Sequence, residues 1–203
     1  MKRALSILAL CTLTACGGGS DAPTEHPQPV CIAPAAPTKV QVFGDSTQYA
    51  QLNALDTYLK AYLGNDAVVV RNLAVSGTST KHPLPEPIDP AAVSLANFGI
   101  NDSARDVKDV EQYKANLRAM APSVFETPNP PHDTYAPAMR EVAAELGRPV
   151  IDVSAYVRSL PGWEKRVPDG VHPDRGLYNE ITEKAVGPAM AEIISKLRCG
   201  GGR

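Results

Sequence analysis

Aromatic side chains are scarce in this chain of 203 residues. Phe, Trp and Tyr together make up 5%, too little for the stacking platforms on which proteins hold single-stranded nucleic acid. A surplus of either charge is missing too: 20 Lys+Arg stand against 22 Asp+Glu, a formal charge of −2. Without a basic excess there is little to neutralise a phosphate backbone, so no nucleic-acid partner is expected. No apolar run reaches the roughly 20 residues that a membrane-spanning helix needs. No internal period marks a repeat or collagen-like architecture. What the chain does have is 19 Pro, 15 Gly and a 43% hydrophobic fraction, enough to bury the core of one ordinary domain and too much for disorder throughout.

The N-terminal segment reads as an address. Met1-Lys2-Arg3 is basic, and the apolar run Ala4 to Ala15 suits the core of a secretory signal. It closes on Leu13-Thr14-Ala15-Cys16, which resembles the lipobox of bacterial lipoproteins; the alternative is an ordinary signal peptide with an incidental Cys. The resemblance implies a signal peptide over 1–15, lipidation of Cys16, export, and attachment to a membrane of the cell envelope through that lipid. Loss of Lys2 and Arg3 then leaves 18 Lys+Arg against 22 Asp+Glu, a net −4. Gly17, rather than Asp, follows the Cys, which favours the outer membrane if the cell is Gram-negative. Residues 16–38, with Gly-Gly-Gly-Ser and Pro at 23, 27, 29, 34 and 37, form a tether too poor in apolar side chains to repay its ordering. The folded domain is expected over 39–199, with a tail at 200–203.

Of the four cysteines, Cys11 leaves with the signal and Cys16 takes the lipid. Cys31 and Cys199 then remain at the two ends of the folded part. An exported protein resides where disulfides persist, so these two are expected to bridge; two unpaired thiols are the alternative.

The body alternates strands and helices. Val40-Gln41-Val42-Phe43 is a strand ending at Gly44, and Leu52, Leu55, Leu59 and Leu63 mark one helical face, stopped by Gly64-Asn65. Val68-Val69-Val70 within 67–75 reads as a fully buried strand. A Pro-rich loop leads to a third strand at 92–98. Val107, Val110, Tyr113 or Lys114, Leu117 and Met120 predict a second helix, 124–127 a fourth strand, and Tyr135, Met139, Val142 and Leu146 a third helix ending at Gly147. A fifth strand falls at 150–153, and a last helical region over 177–197 is expected to break at Gly187-Pro188. Such alternation predicts a parallel sheet covered on both faces, with functional groups in loops at the C-terminal ends of its strands.

Polar blocks stand at four of those loops: Gly44-Asp45-Ser46, Asn72 to Gly77, Gly99-Ile100-Asn101-Asp102, and Asp169-Gly170-Val171-His172-Pro173. A Ser at a strand-to-helix turn is exposed beside backbone N–H groups that can hold an anion. Its hydroxyl needs an adjacent base, and an imidazole can take up a proton near neutral pH. A carboxylate three residues before His172 can fix its tautomer. Three of the blocks also have a bland reading: Ser46 as a helix cap, Gly77 as a plain turn, Asn101-Asp102 as a cap for the next helix.

In order and spacing the four blocks resemble the SGNH (GDSL) hydrolase family, over essentially all of the chain from Lys39 to the final helix. The resemblance implies a flavodoxin-like three-layer α/β/α sandwich with about five parallel strands. It implies Ser46 as nucleophile, His172 as base and Asp169 as the acid orienting it, with an oxyanion hole from the Ser46 and Gly77 N–H groups and the Asn101 amide. Ala74 departs from the family, many members having a glycine there. The expected activity is ester hydrolysis through an acyl-Ser46 intermediate, with neither metal nor organic cofactor. The acyl group is expected to be small, such as acetyl on an envelope or extracellular glycan. Lipid or thioester substrates, or a non-catalytic glycan-binding lipoprotein on the same fold, are the alternatives. Asp102 is read as structural, and His82 and His132 as solvated. The loop Thr78 to Pro90 is expected to wall the substrate site, with Trp163 and Tyr156 either joining it or packing on the core.

Overall fold

A computed structural model describes residues 36–200. The signal peptide, Cys16, Cys31, most of the expected tether and the last three residues lie outside that range. No helix among the described residues is long and apolar enough to cross a membrane.

Five parallel strands form one sheet: β1 (Thr38–Gly44), β2 (Val68–Asn72), β3 (Val93–Asn97), β4 (Val124–Glu126) and β5 (Val150–Ile151), in the spatial order β2-β1-β3-β4-β5. This is the flavodoxin-like doubly wound order, whose switch point lies between β1 and β3. The helices are α1 (Ser46–Leu63), α2 (Val110–Met120), α3 (Ala136–Glu145), α4 (Val153–Arg158), α5 (Arg175–Ile181) and α6 (Gly187–Gly200). The strands sort their side chains with a period of two. Val40, Val42, Leu95 and Val124 turn towards Leu55 and Leu59 of α1 and Met190 and Ile194 of α6. On the opposite face Phe125 joins Tyr113 and Leu117 of α2 and Met139 and Val142 of α3. The expected three-layer sandwich is therefore the fold.

One crossover carries no helix. Between β2 and β3 the Pro-rich segment itself covers the sheet, placing Leu84 and Ile88 against Phe43, Ala96 and Phe98. Gln41, buried in mid-strand, secures it: its amide oxygen accepts from the Asp89 N–H (2.7 Å) and its NH2 donates to the Pro87 carbonyl (3.3 Å).

Several local expectations change in the fold. β2 lies at the sheet edge, so its burial alternates and Val69 is 47% exposed; three consecutive valines do not make it a fully buried strand. The second helix starts at Val110, and Val107 is buried ahead of it; Tyr113, not Lys114, fills its core position. The fifth strand is only two residues long because Asp152 caps α4, a helix the apolar pattern did not announce, by accepting from the Ala155 N–H. The last helical region begins at Arg175 and runs through a π-helical segment, Thr182–Val186, into α6. Gly187 stays right-handed helical and does not break it. A side chain there would meet the Thr182 carbonyl and the Tyr58 ring at about 2.6–2.7 Å, so glycine is set by packing of α6 on α1.

Candidate active site

Gly44 brings β1 to its end against β3: the two pair at Gly44 and Asn97, and a Cβ on Gly44 would stand 2.6 Å from the Asn97 carbonyl oxygen. Only a glycine lets the two strands approach this closely. Asp45 then caps α1, its Oδ1 accepting from the Thr47 N–H (2.9 Å) and Thr47 hydroxyl (2.8 Å). Ser46 is the first residue of α1, half-buried at the C-terminal edge of the sheet.

The fourth block returns to the same point from 126 residues away. The Ser46 hydroxyl lies 2.8 Å from His172 Nε2, and His172 Nδ1 lies 2.7 Å from Asp169 Oδ2. Asp169 Oδ1 accepts from the backbone N–H groups of Val171 and His172 (2.9 and 2.6 Å). Hydrogen bonds from the His172 backbone and ring, then from Val171, hold the Asp169 carboxyl well below the usual carboxylate range. It is ionised at neutral pH and accepts Nδ1–H, leaving Nε2 as acceptor for the serine proton. Hydroxyl, imidazole and carboxylate in that order are the arrangement that activates an oxygen nucleophile. The site is open, with the His172 and Asp169 side chains 41% and 54% exposed.

The second and third blocks are tied to the first. Leu73 N–H and Val75 N–H continue the ladder onto the Val42 and Gly44 carbonyls (2.8 and 2.9 Å), and Thr78 Oγ1 reaches the Val75 carbonyl (2.7 Å) and, more distantly, that of Gly44 (3.3 Å). Ala74 fits as a buried residue of this turn, its N–H held by Asn72 Oδ1. Gly77 has φ of +79°, which favours glycine, and its carbonyl accepts from Arg105 Nη2 (2.7 Å). Asn101 Nδ2 donates to the Thr78 carbonyl (2.8 Å), which orients the amide and uses one of its two hydrogens. Asp102 is fully buried, where it accepts from Thr80 N–H (3.0 Å) and the Thr80 hydroxyl.

Other candidates lie elsewhere. Exposed His82 meets Ser79 through Nδ1. Tyr156 and Trp163 pack against the α1/α6 side of the core, Tyr156 bonded to Glu180 and Trp163 under the Arg158 guanidinium at 5.5 Å. Cys199 in α6 is disulfide-bonded. A cavity of about 630 Å³ among Thr38, Val93, Arg148 and Leu197 contains none of the four blocks.

Two features lie in the stretch Glu126 to Pro130, which resembles a common strand end of the SGNH family and from which no chemistry is expected. Asn129, fully buried just past β4, donates to the Val171 carbonyl (3.3 Å) and so steadies the loop bearing His172; the Pro-rich stretch around it carries no local signal of this. Beneath α1, Glu126 is fully buried, with Oε1 accepting from Asn97 (2.9 Å) and Gln51 (3.3 Å). Burial pushes its carboxyl up to about 7, and that of Asp45 up to about 6. A folded-state pKa above the ordinary value adds stability below the latter that is lost as pH rises through the former. For Glu126 that window runs from 4.5 to about 7. The melting temperature is therefore expected to fall by several degrees from pH 5 to pH 8, since ~2 pK units correspond to roughly 3 kcal/mol. Glu126→Gln should flatten much of that slope in thermal melts across this range; an unchanged slope would assign it elsewhere.

Fold and site together place a hydrogen-bonded serine, histidine and aspartate at the C-terminal edge of a parallel α/β sheet. The family model for the GDSL-like Lipase/Acylhydrolase family matches residues 42–178, and the chain belongs to that hydrolase family. No curated protein sequence matches it. Among solved structures, a lipase/acylhydrolase from Enterococcus faecalis superposes with a TM-score of 0.62 at 21% identity, over 78% of this chain and 96% of the other. A catalytic mutant of an acetylxylan esterase from Geobacillus stearothermophilus gives 0.60 at 16%, over 78% and 94%. A family two carbohydrate esterase from Clostridium thermocellum, in complex with cellohexaose, gives 0.52 at 15%, over 81% and 66%.

Proposed function

We propose that this protein is a serine esterase whose nucleophile is Ser46. The observation that carries the reading is the continuous relay from the Ser46 hydroxyl through His172 to Asp169 at the N-terminus of α1. The Ser46 oxygen attacks the ester carbonyl while His172 Nε2 takes its proton. The tetrahedral oxyanion is met by the Ser46 and Gly77 N–H groups and by the Asn101 N–H not bonded to Thr78. His172 returns the proton to the departing alcohol, water attacks the acyl-serine with the same base, and Ser46 is regenerated.

A small acyl group on a bulky glycan is the favoured substrate. The exposed relay offers room for a polymer outside the site, and an acetylxylan esterase and a carbohydrate esterase with an oligosaccharide share the fold. Anchoring through a lipid on Cys16, in the cell envelope, is part of the same proposal and rests on the lipobox-like Leu13 to Cys16.

Hydrolysis of p-nitrophenyl acetate by the purified domain, beside Ser46→Ala, tests the reading. Equal rates for the two proteins would instead favour a non-catalytic binding module. Asn101→Ala should lower kcat by ~10²–10³ through loss of one oxyanion donor. Its effect on KM should be small, because the oxyanion forms only after binding.

A further inference from the structure

A short helical turn at Ile100 and Asn101 continues into a π-helical one, Asp102–Asp106, and such turns are uncommon and frequent at functional sites. Its residues grip the loop after Gly77 almost position by position. Asn101 donates to the Thr78 carbonyl (2.8 Å), Asp102 accepts from Thr80 N–H and hydroxyl, and Asp106 pairs with Lys81 (3.1 Å). Arg105 completes the set at Gly77 itself, Nη2 donating to its carbonyl at 2.7 Å. The Thr78 N–H and hydroxyl are turned inward on the Val75 carbonyl (3.2 and 2.7 Å).

From this we infer that Arg105 is a positioning residue: by holding the carbonyl of the Gly77–Thr78 peptide it restrains the backbone angles at Gly77, so that the N–H on the preceding side of that residue stays in register with the Asn101 amide. The inference rests on the reading of Gly77 as an oxyanion donor. A glycine at positive φ has no side chain to hold its orientation, and Gly77 sits on the exposed rim of the site. A charge-assisted bond to its carbonyl supplies the missing restraint. The Arg105 side chain is 56% exposed, its other close partner being Asp106 at 3.6 Å. Its removal therefore uncovers little core and should act on the site rather than on the fold. Displacing a donor by an ångström is enough to cost up to about 10²-fold in rate.

Arg105→Met keeps the apolar stem and removes the guanidinium. With p-nitrophenyl acetate it is expected to lower kcat by roughly 10- to 100-fold, with KM within about twofold and the melting temperature nearly unchanged. Arg105→Lys, which restores a single cationic donor, should recover part of the loss. Hydrogen–deuterium exchange reports independently of turnover: amides in the 77–81 segment should exchange faster in Arg105→Met, with the rest of the domain unaltered. A higher KM at unchanged kcat would mean that Arg105 contacts substrate, and unchanged exchange at 77–81 would mean that it restrains nothing; either result overturns the inference. If wild-type turnover proves independent of Ser46, the esterase reading falls, and the exchange measurement still decides the part played by Arg105.

Discussion

Replacing His172 by alanine is expected to lower kcat for an ester substrate by a factor on the order of 10⁵–10⁶. The relay explains the size. The Ser46 hydroxyl meets His172 Nε2 at 2.8 Å, and among the described residues no other imidazole bonds to it, His82 being engaged with Ser79. Without the base, the hydroxyl must attack in its weakly nucleophilic neutral form. Ser46→Ala should fall as far, and the double variant no further, because the two groups act in one step and their effects do not add. Steady-state rates for the three variants with p-nitrophenyl acetate provide the check. A double variant lower than both singles by a further large factor would show that the two residues act separately.

Asp169→Asn should cost roughly 10³–10⁴ in kcat while leaving the fold intact. The carboxylate has two duties, accepting two backbone N–H groups through Oδ1 and the imidazole Nδ1–H through Oδ2. An amide can keep the first with its oxygen, which presents its NH2 to Nδ1. The imidazole then carries its proton on Nε2 and cannot receive one from Ser46. Exposure of Asp169 at 54% lets water serve partly in its place, which sets the effect below that of His172. Matching circular dichroism and melting temperature beside the lowered rate would place the loss in the tautomer. A rate within a few-fold of wild type would mean that solvent orients the ring unaided.

Much of this site was legible because its parts are local. Gly44-Asp45-Ser46 and Asp169 to His172 are short blocks in which spacing of one to three residues dictates who can touch whom. Asp169 and His172 do meet within one loop, as their spacing suggested. The alternation of apolar strands and amphipathic helices likewise announced a covered parallel sheet. The readings that changed depended on neighbours: Val68 to Val70 make an edge strand because nothing among the described residues pairs beyond β2, and α4 owes its start to the Asp152 cap rather than to an apolar stripe.

What the amino-acid order determined by itself was the chemistry on offer, the class of fold, and the turns at which Ser46, Gly77, Asn101 and His172 stand. Only the tertiary structure decided that the hydroxyl and the imidazole, 126 positions apart, share a hydrogen bond, that Arg105 reaches Gly77 across 28 positions, and that Glu126 and Asp45 are buried against α1. The reason is physical: turn and cap preferences are set by a residue and its immediate neighbours. Long-range contacts and buried charge instead depend on where the whole sheet and its helices bring the chain back upon itself.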